Sequence, residues 1–123
     1  MQLRKLGIVL FAHGSRDDRW RAPVEAIARR VQALDPSAKV ACAYLELVLP
    51  DLRTAAQDLI SAGATSIRVV PLFLGMGKHV REDLPRLIDE LRQQHVGVSL
   101  TLNQAVGEDL DVIELLARKA LEI

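Results

Sequence analysis

The sequence predicts an α/β fold: a four-stranded parallel sheet in the order 2-1-3-4, flavodoxin-related in topology, with helices on both faces. Three observations carry this. Four short runs rich in Val, Ile and Leu (7–12, 39–45, 66–74 and 98–102) are apolar almost throughout, as strands covered on both sides must be. Each is followed by apolar residues at the 3.6-residue period, and Pro or Gly stands near the junctions. At 123 residues, 50% hydrophobic and 26% charged, the chain suits one domain spanning 1–123.

The first strand, Gly7 to Ala12, leads through AHGSRDDRW into a helix whose apolar stripe is Val24, Ile27, Ala28, Val31 and Leu34, and Pro36 follows it. The second strand, Lys39 to Leu45, carries Glu46 at its carboxyl end. Pro50 can open the second helix (Leu52, Ala55, Ala56, Leu59, Ile60) and Gly63 can end it. The third strand, Ser66 to Leu74, precedes a loop of about nine residues reaching Asp83, longer than the ~2–6 usual between strand and helix and therefore a candidate for function. Asp83 then reads as a cap, with Pro85 early in a third helix striped by Leu84, Leu87, Ile88 and Leu91. Gly97 ends that helix, Val98 to Leu102 forms the last strand, and an amphipathic helix runs from about Asp109 to Leu121. Four βα units joined by right-handed crossovers give the strand order 2-1-3-4.

Charge excludes some partners. Sixteen Lys and Arg balance sixteen Asp and Glu, so no overall field attracts nucleic acid or an anionic membrane. The N-terminal apolar run of six residues is a strand rather than a signal or a membrane span, and the expected location is cytoplasmic. Cys42, the single cysteine, sits in VACAYLEL and reads as a small core residue.

In an open parallel sheet the ligand crevice lies beyond the carboxyl ends of the strands, where the winding reverses between strands 1 and 3. His13 ends strand 1 and His79 follows strand 3, so the fold brings both imidazoles to one rim. Either alone reads as a satisfied polar residue at a strand end; the pair at the switch point reads as a site. Glu46 ends strand 2 on the same rim, where a carboxylate faces water or answers a cation. Gly14 permits a tight turn, Ser15 and Arg16 offer donors near a helix start, and Gly77 and Lys78 offer an amide and an ammonium. A plainer reading makes Ser15 or Asp17 a helix cap and leaves Arg16, Lys78 and Arg81 solvated. Trp20 is expected to cover the core edge, and His95 to sit at a helix C-terminus.

As a ligand set, His13, His79 and Glu46 supply two imidazoles and a carboxylate without a thiolate, which suits Co²⁺, Ni²⁺, Fe²⁺ or Zn²⁺ held exchangeably. The motifs HGSRD after strand 1, Glu46 after strand 2 and PLFLGMGKHVREDLP after strand 3 together resemble the short-form sirohydrochlorin chelatases, the type II tetrapyrrole metal chelatases of cobalamin and siroheme synthesis. The resemblance covers nearly the whole chain. It implies a chelatase-like domain, no permanently bound cofactor and no nucleotide, and insertion of Co²⁺, or of Fe²⁺ or Ni²⁺ as in some members, into the macrocycle. It assigns His13 and His79 as the active-site histidines, aligns Glu46 with an acidic residue near the metal, and implies a homodimer enclosing the tetrapyrrole.

Other functions fit less of the chain. A phosphohistidine enzyme wants an arginine directly before its histidine, where Ala12 stands. A receiver-type module needs an aspartate ending strand 3, where Phe73 and Leu74 stand, and no GxSxG elbow supports an α/β-hydrolase. A non-catalytic metal or tetrapyrrole carrier would use the same ligands and stays open as the alternative.

Overall fold

Residues 5–122 are described by a computed structural model. The strands are β1 (Leu6–Ala12), β2 (Lys39–Tyr44), β3 (Ser66–Pro71) and β4 (Ser99–Leu102); the helices are α1 (Asp18–Leu34), α2 (Leu52–Ser61), α3 (Lys78–Gln94) and α4 (Leu110–Leu121), with a 3-10 turn at Val106–Glu108. All pairings are parallel and the order is β2-β1-β3-β4, as the crossover rule predicts. Ile8 lies between Val40 and Arg68 and Leu10 between Cys42 and Val70, which puts the ends of β1, β2 and β3 at one rim.

Alternation along β1 divides the core. Val9 and Phe11 face the side covered by α2 and α3, where Leu52, Ala56, Ile67, Val69, Ile88 and Leu91 are buried. Ile8, Leu10 and Ala12 face α1 and pack with Val24, Ala38 and Tyr44. Because β1 is buried on both faces, every second residue in either direction is apolar, and the run reads as continuous hydrophobicity.

Two sequence-based boundaries move. β3 ends at Pro71, not Leu74: proline brings no ladder donor, Leu72 N–H still donates to the Phe11 carbonyl (2.7 Å), and Phe73 then turns into the core against Phe11. α3 begins at Lys78, so the nine-residue loop is a six-residue connection, 72–77, and His79 belongs to the first turn of the helix. Gly77 is its N-cap, with its carbonyl accepting from Arg81 N–H (3.0 Å). Asp83 is therefore no cap but an exposed residue inside α3, 3.8 Å from the Arg86 guanidinium, and Pro85 lies in the helix interior.

Of the other caps, Asp17 is one the sequence offered, whereas at α2 it is Asp51 that caps and Pro50 stands one residue before it. Asp17 accepts from Arg19 N–H (3.0 Å) at the start of α1, and Asp51 from Thr54 N–H (2.8 Å) at the start of α2. Trp20 does not cover the core edge; it projects from the first turn of α1 and is exposed. Cys42 is half-buried, with Sγ 3.9 Å from the Val24 carbonyl, and burial, followed by the nearby Glu25 carboxylate, pushes its thiol above the ordinary range. No helix among the described residues is long and apolar enough to cross a membrane.

Candidate active site

His13 leaves the end of β1 and is exposed at the rim. Its ring lies 4.5 Å, centroid to centroid and tilted 57°, from that of Phe73, which meets Phe11 edge-on at 5.6 Å. The two phenyl rings are buried and form a firm floor beneath the imidazole.

Glu46 is tied to His13 through the backbone. Leu45 N–H donates to the Ala12 carbonyl (2.8 Å) and Glu46 N–H to the His13 carbonyl (3.0 Å), prolonging the β1–β2 pairing past the strands. Gly14 makes this possible: its φ is +96°, and a Cβ there would stand 2.0 Å from the Glu46 carbonyl oxygen. The same oxygen accepts from Val48 N–H (2.8 Å), closing a three-residue turn around Leu47, whose φ of +69° is unusual for a side chain branched at Cγ. A strained leucine at a rim next to an acid is the kind of feature found at functional sites. The Glu46 side chain is exposed.

His79 stands in the first turn of α3, the helix that packs on the Val9 and Phe11 face of β1. Together with Phe11, Leu45, Val80, Asp83, Leu84 and Leu87 it lines a cavity of about 360 Å³. A neighbouring cavity of about 170 Å³ shares Phe11, Leu45 and Leu87 and continues to Tyr44, Asp51 and Arg53. Leu45, the residue before Glu46, and Phe11, two residues before His13, thus line both cavities. The larger cavity lies at the small end of the ~300–1,000 Å³ that ligand pockets occupy, as expected of an open rim that covers only part of a large ligand.

Ser15 Oγ accepts from Asp17 N–H (3.1 Å) in the lead-in to α1, and Arg16 is exposed with no ion pair among the described residues. Gly77 and Lys78 start α3, whose unpaired N–H groups and dipole favour an anion at this end. A Cβ at Gly77 would meet nothing within 4 Å, so glycine is not required there for space. His95 caps α3 at its far end, away from the rim.

Sequence reasoning missed Phe73 as the support of His13, and missed Asp83 as a neighbour of His79. Residues i and i+4 share a helix face, so the second was readable once α3 was extended to Lys78. Among the described residues, no three His, Cys, Asp or Glu side chains come close enough to hold an ion unaided. The rim gathers its imidazoles and carboxylates without closing a cage.

The CbiX family profile matches residues 7–123. The chain belongs to the CbiX family. Among curated CbiX-like relatives it is similar to the sirohydrochlorin cobaltochelatase of Saccharolobus solfataricus, 31% identical over 95% of this chain and 94% of that protein. Its similarity to the enzyme of that description from Methanococcoides burtonii is 27% identity over 97% of each. Among solved structures, a CbiX protein of cobalamin biosynthesis from Marinobacter aquaeolei superposes with a TM-score of 0.76 at 34% identity, covering 94% of this chain and 93% of that one. The sirohydrochlorin chelatase SirB of Bacillus subtilis, solved in complex with cobalt, gives 0.77 at 25% identity; this CbiX chain spans 50% of that longer chain.

Proposed function

We propose that this CbiX-family chain is an ATP-independent chelatase that inserts a divalent metal ion, Co²⁺ foremost and Fe²⁺ or Ni²⁺ as alternatives, into sirohydrochlorin in cobalamin or siroheme biosynthesis. What supports the reading is the chain's similarity along its length to sirohydrochlorin cobaltochelatases, with His13, Glu46 and His79 each following the carboxyl end of a different neighbouring strand.

A free-base tetrapyrrole must shed two pyrrole protons as the ion enters, so the face that delivers the metal must also accept protons. In this proposal His13 and His79 hold the incoming ion and take up those protons, and Glu46 assists as ligand or relay. The metal is a substrate here, not a resident cofactor. Ser15, Arg16, Lys78 and the amides of Gly14 and Gly77 answer the ring's peripheral carboxylates. The 123 residues act as one such domain in the cytoplasm, and two copies enclose the macrocycle.

The test mixes anaerobic sirohydrochlorin with each ion and follows absorbance at substoichiometric protein. Turnover that falls to the uncatalysed background in both His13→Ala and His79→Ala is expected. A single stoichiometric burst would instead identify a carrier, and full rates in both variants would overturn the assignment.

A further inference from the structure

His79 and Asp83 carry the only polar side chains on the wall of the larger cavity, whose other lining residues are Phe11, Leu45, Val80, Leu84 and Leu87. The two stand one turn apart on α3, at the i and i+4 spacing that brings side chains of a helix over one another. Helical side chains lean toward the N-terminus, the direction in which His79 lies from Asp83. Among the described residues neither side chain makes a hydrogen bond within the chain. The one ion pair of Asp83 there is with Arg86 at 3.8 Å, an exposed pair too loose to hold either group. Glu82, three residues after His79, carries the same charge but does not line the cavity.

We propose that Asp83 is a positioning residue for His79: in the complex with the macrocycle its carboxylate accepts the Nδ1–H of the imidazole, which fixes the tautomer and leaves the Nε2 lone pair free for the incoming ion. The inference rests on the proposed metal insertion and adds to it the group that orients one of its two histidines. A macrocycle lying over the cavity displaces water from its mouth, and a carboxylate deprived of water needs a donor. Of the side chains on that wall, the His79 imidazole alone carries one. Covering the cavity also lowers the local dielectric, so the bond strengthens as the substrate arrives. The imidazole gains in turn, because a carboxylate on one ring nitrogen orients the ring and makes the other nitrogen a better metal ligand. His13 already has support, since its ring lies 4.5 Å from that of Phe73, whereas no ring contact holds His79 among the described residues. Asp83 supplies to His79 the orientation that Phe73 supplies to His13.

Long-range proton–nitrogen NMR of the imidazoles, recorded at mildly alkaline pH with metal-free sirohydrochlorin bound, reads the tautomer directly. His79 should carry its proton on Nδ1 in the parent and in Asp83→Asn, which keeps an accepting oxygen, and should shift toward the Nε2–H form in Asp83→Ala. In the absorbance assay Asp83→Ala should lower kcat for metal insertion by about 10–100-fold with KM for sirohydrochlorin unchanged, and Asp83→Asn should recover part of that loss. Alanine at an exposed position inside a helix leaves the fold intact. Glu82→Gln, which removes a charge from the same turn but off the cavity wall, should match the parent in both measurements. An Asp83→Ala variant that keeps the parental tautomer, or a Glu82→Gln variant that loses as much rate, would overturn the role of Asp83 and leave the metal-inserting reading standing. A parent that binds sirohydrochlorin without turnover would overturn that reading, and the tautomer comparison would still decide the placement of Asp83.

Discussion

Replacing Gly14 by alanine tests whether backbone geometry, rather than side-chain chemistry alone, sets the candidate site. At φ +96° any Cβ costs about 1–2 kcal/mol. The added carbon would lie 2.0 Å from the Glu46 carbonyl oxygen, a backbone atom that cannot rotate away. That carbonyl must retreat by about 1 Å, which takes the 3.0 Å Glu46 N–H to His13 bond beyond hydrogen-bonding range and loses about 1 kcal/mol more. The loss is then about 2–3 kcal/mol, or on the order of 10 °C in melting midpoint for a domain of this size. On the proposed function, a ~1 Å displacement of Glu46 from His13 also lowers metal insertion by about 100-fold. Thermal unfolding by circular dichroism gives the first quantity and the sirohydrochlorin absorbance assay the second. A variant melting within about 2 °C of the parent and inserting metal at the parental rate would refute the claim that Gly14 holds Glu46 against His13.

Phe73→Leu removes the ring beneath His13 while keeping an apolar core residue; stability should fall by about 1–2 kcal/mol, and the imidazole proton resonances of His13 should move as the ring current is lost, whereas unmoved resonances would exclude the contact. Asp51→Ala should cost about 1 kcal/mol at neutral pH through loss of the α2 cap. The bond from Thr54 N–H holds the Asp51 carboxyl below its ordinary range, so this contribution is present above about pH 4 and is lost as pH falls through the lowered value; a parent-to-variant difference in urea unfolding that ignores acid pH would contradict it. Burial raises the Cys42 thiol, so a thiol reagent at mildly alkaline pH should label it much more slowly in the folded chain than in urea, and equal rates would show the site to be open.

The strand order was readable because β1 and β3 are covered on both faces and appear as unbroken apolar runs, to which right-handed crossovers leave few arrangements. The differences lie where burial and hydrogen bonding part company. Leu72 to Leu74 continue the apolar run of β3, yet Phe73 is apolar because it packs on Phe11 and His13, not because it pairs in the sheet. The start of α3 was hidden because Gly77 caps without a side chain, while Leu84 and Pro85 imitate a beginning. Val80, four residues before Leu84 and packed on the core, carried the missing turn. The residues of the candidate site could be named from topology, but the link from Glu46 to His13 could not: it depends on a positive φ at both Gly14 and Leu47, which no periodicity encodes.

On the proposed function, the openness of the rim suits the chemistry of a metal that must leave. Even with association near the diffusion limit of about 10⁹ M⁻¹ s⁻¹, a site of picomolar affinity releases its ion at about 10⁻³ s⁻¹, far below the ~10 s⁻¹ typical of enzymes. A chelatase therefore gains nothing from a finished cage, and the most favourable ligand set is one the macrocycle completes with its own nitrogens. The proposed set of His13, Glu46 and His79 would have that character: all three are exposed, and each is positioned by a different element, β1, the strained turn after β2, and the first turn of α3. Rigidity is supplied one layer below, by the phenyl rings under His13 and the backbone bond under Glu46. Ligands that are loosely gathered but individually well supported can pass an ion on without first having to unfold around it.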